Sequence, residues 1–149
     1  LLFGFNNLAS PSFEAGNSQS VKHRVTAFLE RDVRNGKIRD NKIRKYFRAQ
    51  RAEGSAPRTE EYFRLIDGYV AASSSMNDSS LPEDLQYAWR DHMKAWNNER
   101  DLLAEAARGE LNPEHFKVRA DADSKEIAAT WFQVLRIAER YGVYTGDMK

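Results

Sequence analysis

The sequence predicts an all-α domain, a bundle of four or five helices preceded by a flexible N-terminal segment. Three observations carry the prediction. Apolar residues recur at three- and four-residue intervals in each long stretch, whereas none alternates in the way a half-buried strand requires. Helix-starting residues and helix-ending glycines punctuate the chain between those stretches. The run from Leu81 to Gly109 carries signals at both of its ends. With 149 residues and no cysteine, one core without disulfides is the simplest organisation. Charged residues make up 30% of the chain, but with 11% aromatic residues it is too rich in core-forming side chains to stay disordered.

Residues 1–19 read as a linker or as the remnant of an anchor, and residues 20–149 as a single helical domain. The opening LLFGF is apolar but far shorter than the roughly 20 residues that span a bilayer. Asn6 to Gln19 is rich in Asn, Ser and Gly and shows no period. A first helix is expected after Ser18 or Ser20, because Val21, Val25, Phe28 and Leu29 share a face, and Asn35-Gly36 is expected to end it. A second follows Asp40, with Ile43, Tyr46, Phe47 and Gln50 inward, and stops at Gly54. Thr59 then caps a helix whose stripe is Tyr62, Phe63, Ile66, Tyr69 and Val70, and Gly68 within it marks a close helix contact. Residues 73–80 form a serine-rich loop.

The central helix starts with Ser80 and Glu83 at capping-box spacing and Pro82 in its first turn. Leu85, Trp89, His92, Trp96, Glu99 and Leu103 make one stripe, the seam onto which other helices pack. The segment from Glu110 to Asp123 is the least regular. Asp123 and Glu126 read as the cap pair of a last helix, whose inner side is Ile127, Trp131, Val134, Leu135, Ala138 and Tyr141. Phe132 points nearly the opposite way, toward a second neighbour or a docking patch.

No phosphate-binding glycine loop, nucleophile elbow or zinc-protease helix motif occurs, so the expectation is a protein that is not an enzyme and holds no metal and no cofactor. Asp121 and Asp123 begin like a calcium loop, but Lys125 and Glu126 stand where an oxygen ligand and the turn glycine belong. Asn77-Asp78-Ser79 fits the glycosylation pattern, a match common by chance. His92 and Glu99 form a possible buried polar pair on the seam. Lone residues of these types cannot hold a metal, and they more often answer a partner across the interface, for Glu99 an arginine such as Arg24 or Arg136. A small-molecule or metal site there is the least favoured reading.

Charge layout is the sharper hint. From Lys22 to Arg51 there are eleven Lys and Arg against three acids, +8, so a net charge of +1 leaves −7 for the remainder. Arg39, Arg44, Lys45 and Arg48 are the candidate partner-binding residues on this basic face. The bland alternative is that the face pairs with the acidic remainder or merely solvates the domain. A protein partner is the first expectation, a membrane surface is the next, and an electrostatic nucleic-acid-binding role for residues 31–51 is the alternative. No small-molecule substrate is evident.

LPEDLQYAWRDHMKAW and the closing EIAATWFQVLRIAERYGV resemble, over the last half of the chain, the helical extracytoplasmic domains of certain bacterial single-span membrane proteins of no assigned activity. The resemblance rests on aromatic placement. It implies a cell-envelope location, extracytoplasmic and membrane-anchored, with a cytoplasmic location as the alternative. The function expected is thus a non-catalytic protein-interaction module, an accessory subunit or tethered domain of an envelope or membrane-associated assembly.

Overall fold

The computed structural model describes residues 11–148, with side chains from Ser18 onward. Four helices follow one another: α1 (Pro11–Glu53), α2 (Thr59–Ser74), α3 (Glu83–Ala107) and α4 (Pro113–Arg140), and a short 3-10 turn spans Gly146–Met148. Among the described residues there is no strand. Successive helices run antiparallel. Asp32 of α1 meets Tyr69 and Ser73 of α2, Tyr69 packs on Trp96 of α3, and His92 of α3 meets Thr130 of α4.

α1 contradicts the expected break. It passes through Asn35-Gly36 and Asp40 without interruption, so the two short helices expected there are one helix of 43 residues. Asn35 does not turn its amide onto the local backbone, which is how such residues favour turns. Its Nδ2 donates instead to Ser73 Oγ (3.1 Å) on α2 and reaches Met76 Sδ (3.7 Å). Packing against α2 offsets the roughly 1 kcal/mol that a mid-helix glycine costs. Residues 11–19 of the expected linker belong to the same helix, and residues 1–10, with the LLFGF run, lie outside the described residues.

α2 begins one residue earlier than expected, with Thr59 inside the helix rather than capping it. Arg58 is the N-cap without a side-chain bond, and its N–H donates to the Tyr46 hydroxyl of α1 (2.6 Å), which serves the cap from another helix. Gly68 makes no close helix contact; it is exposed, and a Cβ there would meet nothing within 4 Å. Gly54, Gly109 and Gly142 end α1, α3 and α4 with φ of 67°, 73° and 79°, as their positions lead one to expect.

α3 keeps the expected seam but not its expected cap. Pro82 occupies the N-cap position, and no Ser80–Glu83 capping box forms. Leu81 is buried in the core, Ser80 offers its carbonyl to Arg24 Nε (3.1 Å), and Glu83 accepts from the Tyr87 hydroxyl (3.2 Å). Leu85, Trp89, His92, Glu99 and Leu103 are buried and Trp96 is half-buried. α4 reaches ten residues farther back than Asp123. Asn112 Oδ1 accepts from the His115 N–H (2.8 Å) and Pro113 sits at the first helical position, so the start signal lies in Asn112-Pro113 and Asp123 is mid-helix.

Two apolar clusters fill the bundle. One joins Val25 and Leu29 of α1 to Leu85 and Ala88 of α3, Val134, Leu135 and Ala138 of α4, and Val143 of the returning tail. The other joins Ile66, Tyr69 and Val70 of α2 to Trp89, Met93 and Leu103 of α3. α1 packs along α2, α2 along α3 and α3 along α4, whereas α1 and α4 share no extensive interface. Between them, above the Val25–Val134 cluster, the bundle stays open as a groove. Among the described residues, no helix is long and apolar enough to cross a membrane.

Candidate functional site

The residues singled out from the sequence separate into three places: the outer face of α1, the α1–α4 groove, and an isolated pocket of charge on α3. Positions 31–51 of α1 span about 30 Å. Asp32, Arg39, Ile43, Tyr46 and Gln50 face the bundle, which turns Arg31, Arg34, Lys37, Lys42, Arg44, Lys45, Arg48 and Arg51 outward, all exposed. Among the described residues none of these eight has an ion-pair partner. Several acids elsewhere are engaged by other arginines: Glu60 and Glu61 with Arg64, Asp78 with Arg90, Glu105 with Arg119, and Asp84 with Arg140. No ion pair joins this face to the acidic remainder among the described residues, and the face is a row of exposed cations with Ile38, 53% exposed, at its margin. Tyr46 is not available to stack on a base, because its ring packs on Phe47 and its hydroxyl holds the α2 cap.

Arg39 does not belong to that row. Its guanidinium carbon lies 4.4 Å from the Tyr69 ring centre and 4.5 Å from that of Trp96, over the corner the two rings make. Only 16% of its side chain is exposed, and its Nε donates to Asp40 Oδ1 at 2.8 Å. It is a wall of the groove, whose floor is Tyr69, His92 and Trp96 and whose far side is Ile127, Ala128 and Trp131 of α4.

His92 lies under this groove with both ring nitrogens occupied. Trp96 donates its indole N–H to Nε2 (3.2 Å), so the neutral ring carries its proton on Nδ1 and gives it to Thr130 Oγ1 (3.0 Å). Thr130 in turn donates to the Glu126 carbonyl (2.8 Å). Burial, with the nearby Arg39 charge adding to it, lowers the His92 pKa to about 4. The ring is thus a neutral strut between α3 and α4.

Glu99 is not brought to His92, and it does not meet Arg24 or Arg136. Arg24 is held by Ser20 (2.6 Å) and the Ser80 carbonyl, and Arg136 lies 5.9 Å from the exposed Phe132 ring on the outside of α4. Glu99 Oε2 is buried with no hydrogen-bond partner. Burial raises its pKa, and the neighbouring Asp123 carboxylate raises it further. No group of three or more His, Asp or Glu suited to a metal occurs among the described residues.

Sequence reasoning missed a buried polar cluster at the α1–α2 interface. Asp32 accepts from Ser73 Oγ (2.5 Å) and from the Tyr69 hydroxyl (3.1 Å) and is 4% exposed. Burial raises the Asp32 pKa, against the lowering effect of the two hydroxyls and Arg39, and burial likewise raises that of Tyr69 far above its ordinary value. The available signal was the Val25, Leu29, Asp32 spacing, which sets a carboxylate in core register. No family model matches this chain, and no match was found among curated proteins or solved structures.

Proposed function

We propose that this chain is a non-catalytic protein-interaction module that docks through the outer face of α1 onto an acidic surface of a protein partner. The observation that carries the reading is the row of eight exposed cations without ion partners along about 30 Å of one helix. Such a row contributes little to folding, because exposed charges rarely do, and long side chains kept in water repel one another. Docking against acids removes that repulsion and steers the encounter. A protein surface suits the molecule better than a uniform polyanion does, since the remainder of the chain carries −7 and a nucleic acid would repel it. Four of the polar groups in the bundle support the same reading: His92, Thr130, Asp32 and Ser73 bond to one another, to neighbouring side chains or to the backbone, whereas Glu99 Oε2 is left without a partner. Together with the resemblance of the second half to envelope domains, this favours an accessory subunit or tethered domain at the cell envelope.

A second reading, electrostatic nucleic-acid binding, is favoured by the same row of cations, whose reach would follow several phosphates. The two are separated by fluorescence anisotropy with a labelled 20-base-pair duplex, alongside vesicles containing anionic lipid. Neither is expected to bind appreciably at physiological salt. A micromolar duplex complex whose log K falls against log salt with a slope near −4.5, as about five phosphate contacts give, would replace the proposal with the alternative.

A further inference from the structure

We infer that the α1–α4 groove is a receptor for a carboxylate carried on a flat apolar body, with the Arg39 guanidinium as the anion-binding group and Trp131 and Ile127 as the wall for the body. The inference is independent of the row of cations on the outer face of α1. The groove encloses about 390 Å³, enough for a compact organic group. Its floor and far side are aromatic and aliphatic, and the tail closes its lower end, where Trp131 donates its indole N–H to the Met148 carbonyl (3.0 Å).

Arg39 supplies the polar anchor. A guanidinium has five N–H donors in a planar fork matched to a carboxylate. Here one donor, on Nε, reaches Asp40, and the terminal Nη1 and Nη2 donate to nothing among the described residues. They are not sealed in the core, since Glu99 Oε2 is the one fully buried side-chain polar atom without a partner among those residues. Contact with the Tyr69 and Trp96 rings holds the guanidinium in place before any ligand arrives, so little freedom is lost on binding. An ammonium-bearing ligand fits worse, because the aromatic corner that would receive it is already covered by Arg39.

Asp40 is the built-in competitor. It is 54% exposed and touches Arg39 through a single contact at 2.8 Å, which a bidentate carboxylate on the terminal nitrogens would outcompete. Lys37 adds a cation to the lining, while Asp147 and the hydroxyl-bound Asp32 oppose an incoming carboxylate. Binding is thus selective for the carboxylate but modest in strength, and removing Asp40 strengthens it. The carboxylate could come from a free aromatic acid or from the C-terminus of a polypeptide, and the chemistry at Arg39 is the same.

The test uses the three indole N–H signals of the chain in nitrogen-15 NMR. N-acetyl-phenylalanine is titrated into the protein, then its carboxamide, then a four-residue peptide ending in a free phenylalanine. The acid moves the Trp96 and Trp131 signals saturably and leaves Trp89, which does not line the groove, in place; the carboxamide moves none. Asp40→Asn tightens binding several-fold, and Arg39→Gln weakens it roughly tenfold or more, the scale of a lost charge-assisted hydrogen bond. If Arg39→Gln fails to fold, Arg39→Lys keeps the charge but loses the fork and is expected to weaken binding as well. Tighter binding of the peptide than of the small acid assigns the site to a chain terminus, and equal binding assigns it to a free acid. No saturable shift at millimolar ligand, equal shifts from acid and carboxamide, or weaker binding by Asp40→Asn each overturns the inference.

Discussion

Acidification reports on His92 more sharply than on any other group in this fold. Its ring is neutral in the folded protein, where burial and Arg39 bring its pKa to about 4, and it returns to an ordinary value near 6.5 when the chain unfolds. A folded pKa below the unfolded one means that, as pH falls through 6.5, the unfolded chain takes up a proton that the folded ring refuses. Stability is therefore lost on going down from pH 6.5 toward pH 4 and is fully present above it. From about pH 7.5 to about pH 5 the loss is about 2 kcal/mol. Asp32 and Glu99 act in the opposite sense. Their folded pKa values are raised, so their burial destabilises most at high pH and is relieved as pH falls. The two trends are separated by measuring urea unfolding of the wild type and of His92→Gln at several pH values. The stability difference between the two proteins should shrink by about 2 kcal/mol between pH 7.5 and pH 5, since only the wild type has the titrating ring. In the folded wild type, the His92 ring protons should not titrate above pH 5. A pH-independent difference, or a His92 ring that titrates near 6.5 in the folded protein, would refute the strut between Trp96 and Thr130.

Three further outcomes follow from the packing. Trp89→Ala should cost about 3 to 5 kcal/mol in chemical denaturation, because Trp89 is 3% exposed and braced edge-on by Phe28 at 4.9 Å; a cost under about 1 kcal/mol would remove the seam from the core. Glu99→Gln should gain stability relative to the wild type as pH rises from 4.5, since the raised carboxyl pKa makes the wild type lose stability in that direction; a gain that shrinks with rising pH would contradict an unpartnered buried carboxylate. Gly36→Ala should stabilise by up to about 1 kcal/mol, because α1 is helical there and the added Cβ meets Arg39 Nη2 only at 3.7 Å; a marked loss would mean that the chain turns at Asn35-Gly36 after all.

The fold class and the seam were legible because they rest on repetition over many residues: Leu85, Trp89, His92, Trp96 and Leu103 repeat a period that no single contact can mask. Helix boundaries were less so, since each depends on one or two residues whose partners lie elsewhere in the fold. Asn35 signals a turn until Ser73 supplies a distant acceptor, and Ser80 signals a capping box until Arg24 claims its carbonyl and Leu81 the core. Asn112-Pro113 was legible in principle and was masked by the charged, irregular run after it. Of the site residues, the outward set of Arg44, Lys45 and Arg48 followed from helical period alone. Arg39 did not, because the break expected between Asn35-Gly36 and Asp40 left it outside any helical stripe; in the continuous α1 it stands seven residues after Asp32 and four before Ile43, in inward register. That Glu99 has no cationic partner likewise depends on where Arg24 and Arg136 end up, which periodicity does not encode.

The outer face of α1 is tested most directly by cross-linking in the cell that makes this protein. A photo-reactive residue replaces Lys42, in the middle of the cation row, or Gln133, exposed on α4. Lys42 should give one discrete protein adduct that disappears when Arg44, Lys45 and Arg48 are all changed to Gln in a chain that still folds, and Gln133 should not give it. Adducts at Lys42 only with nucleic acid or lipid, or the same adducts from both positions, would contradict a protein-docking face on α1.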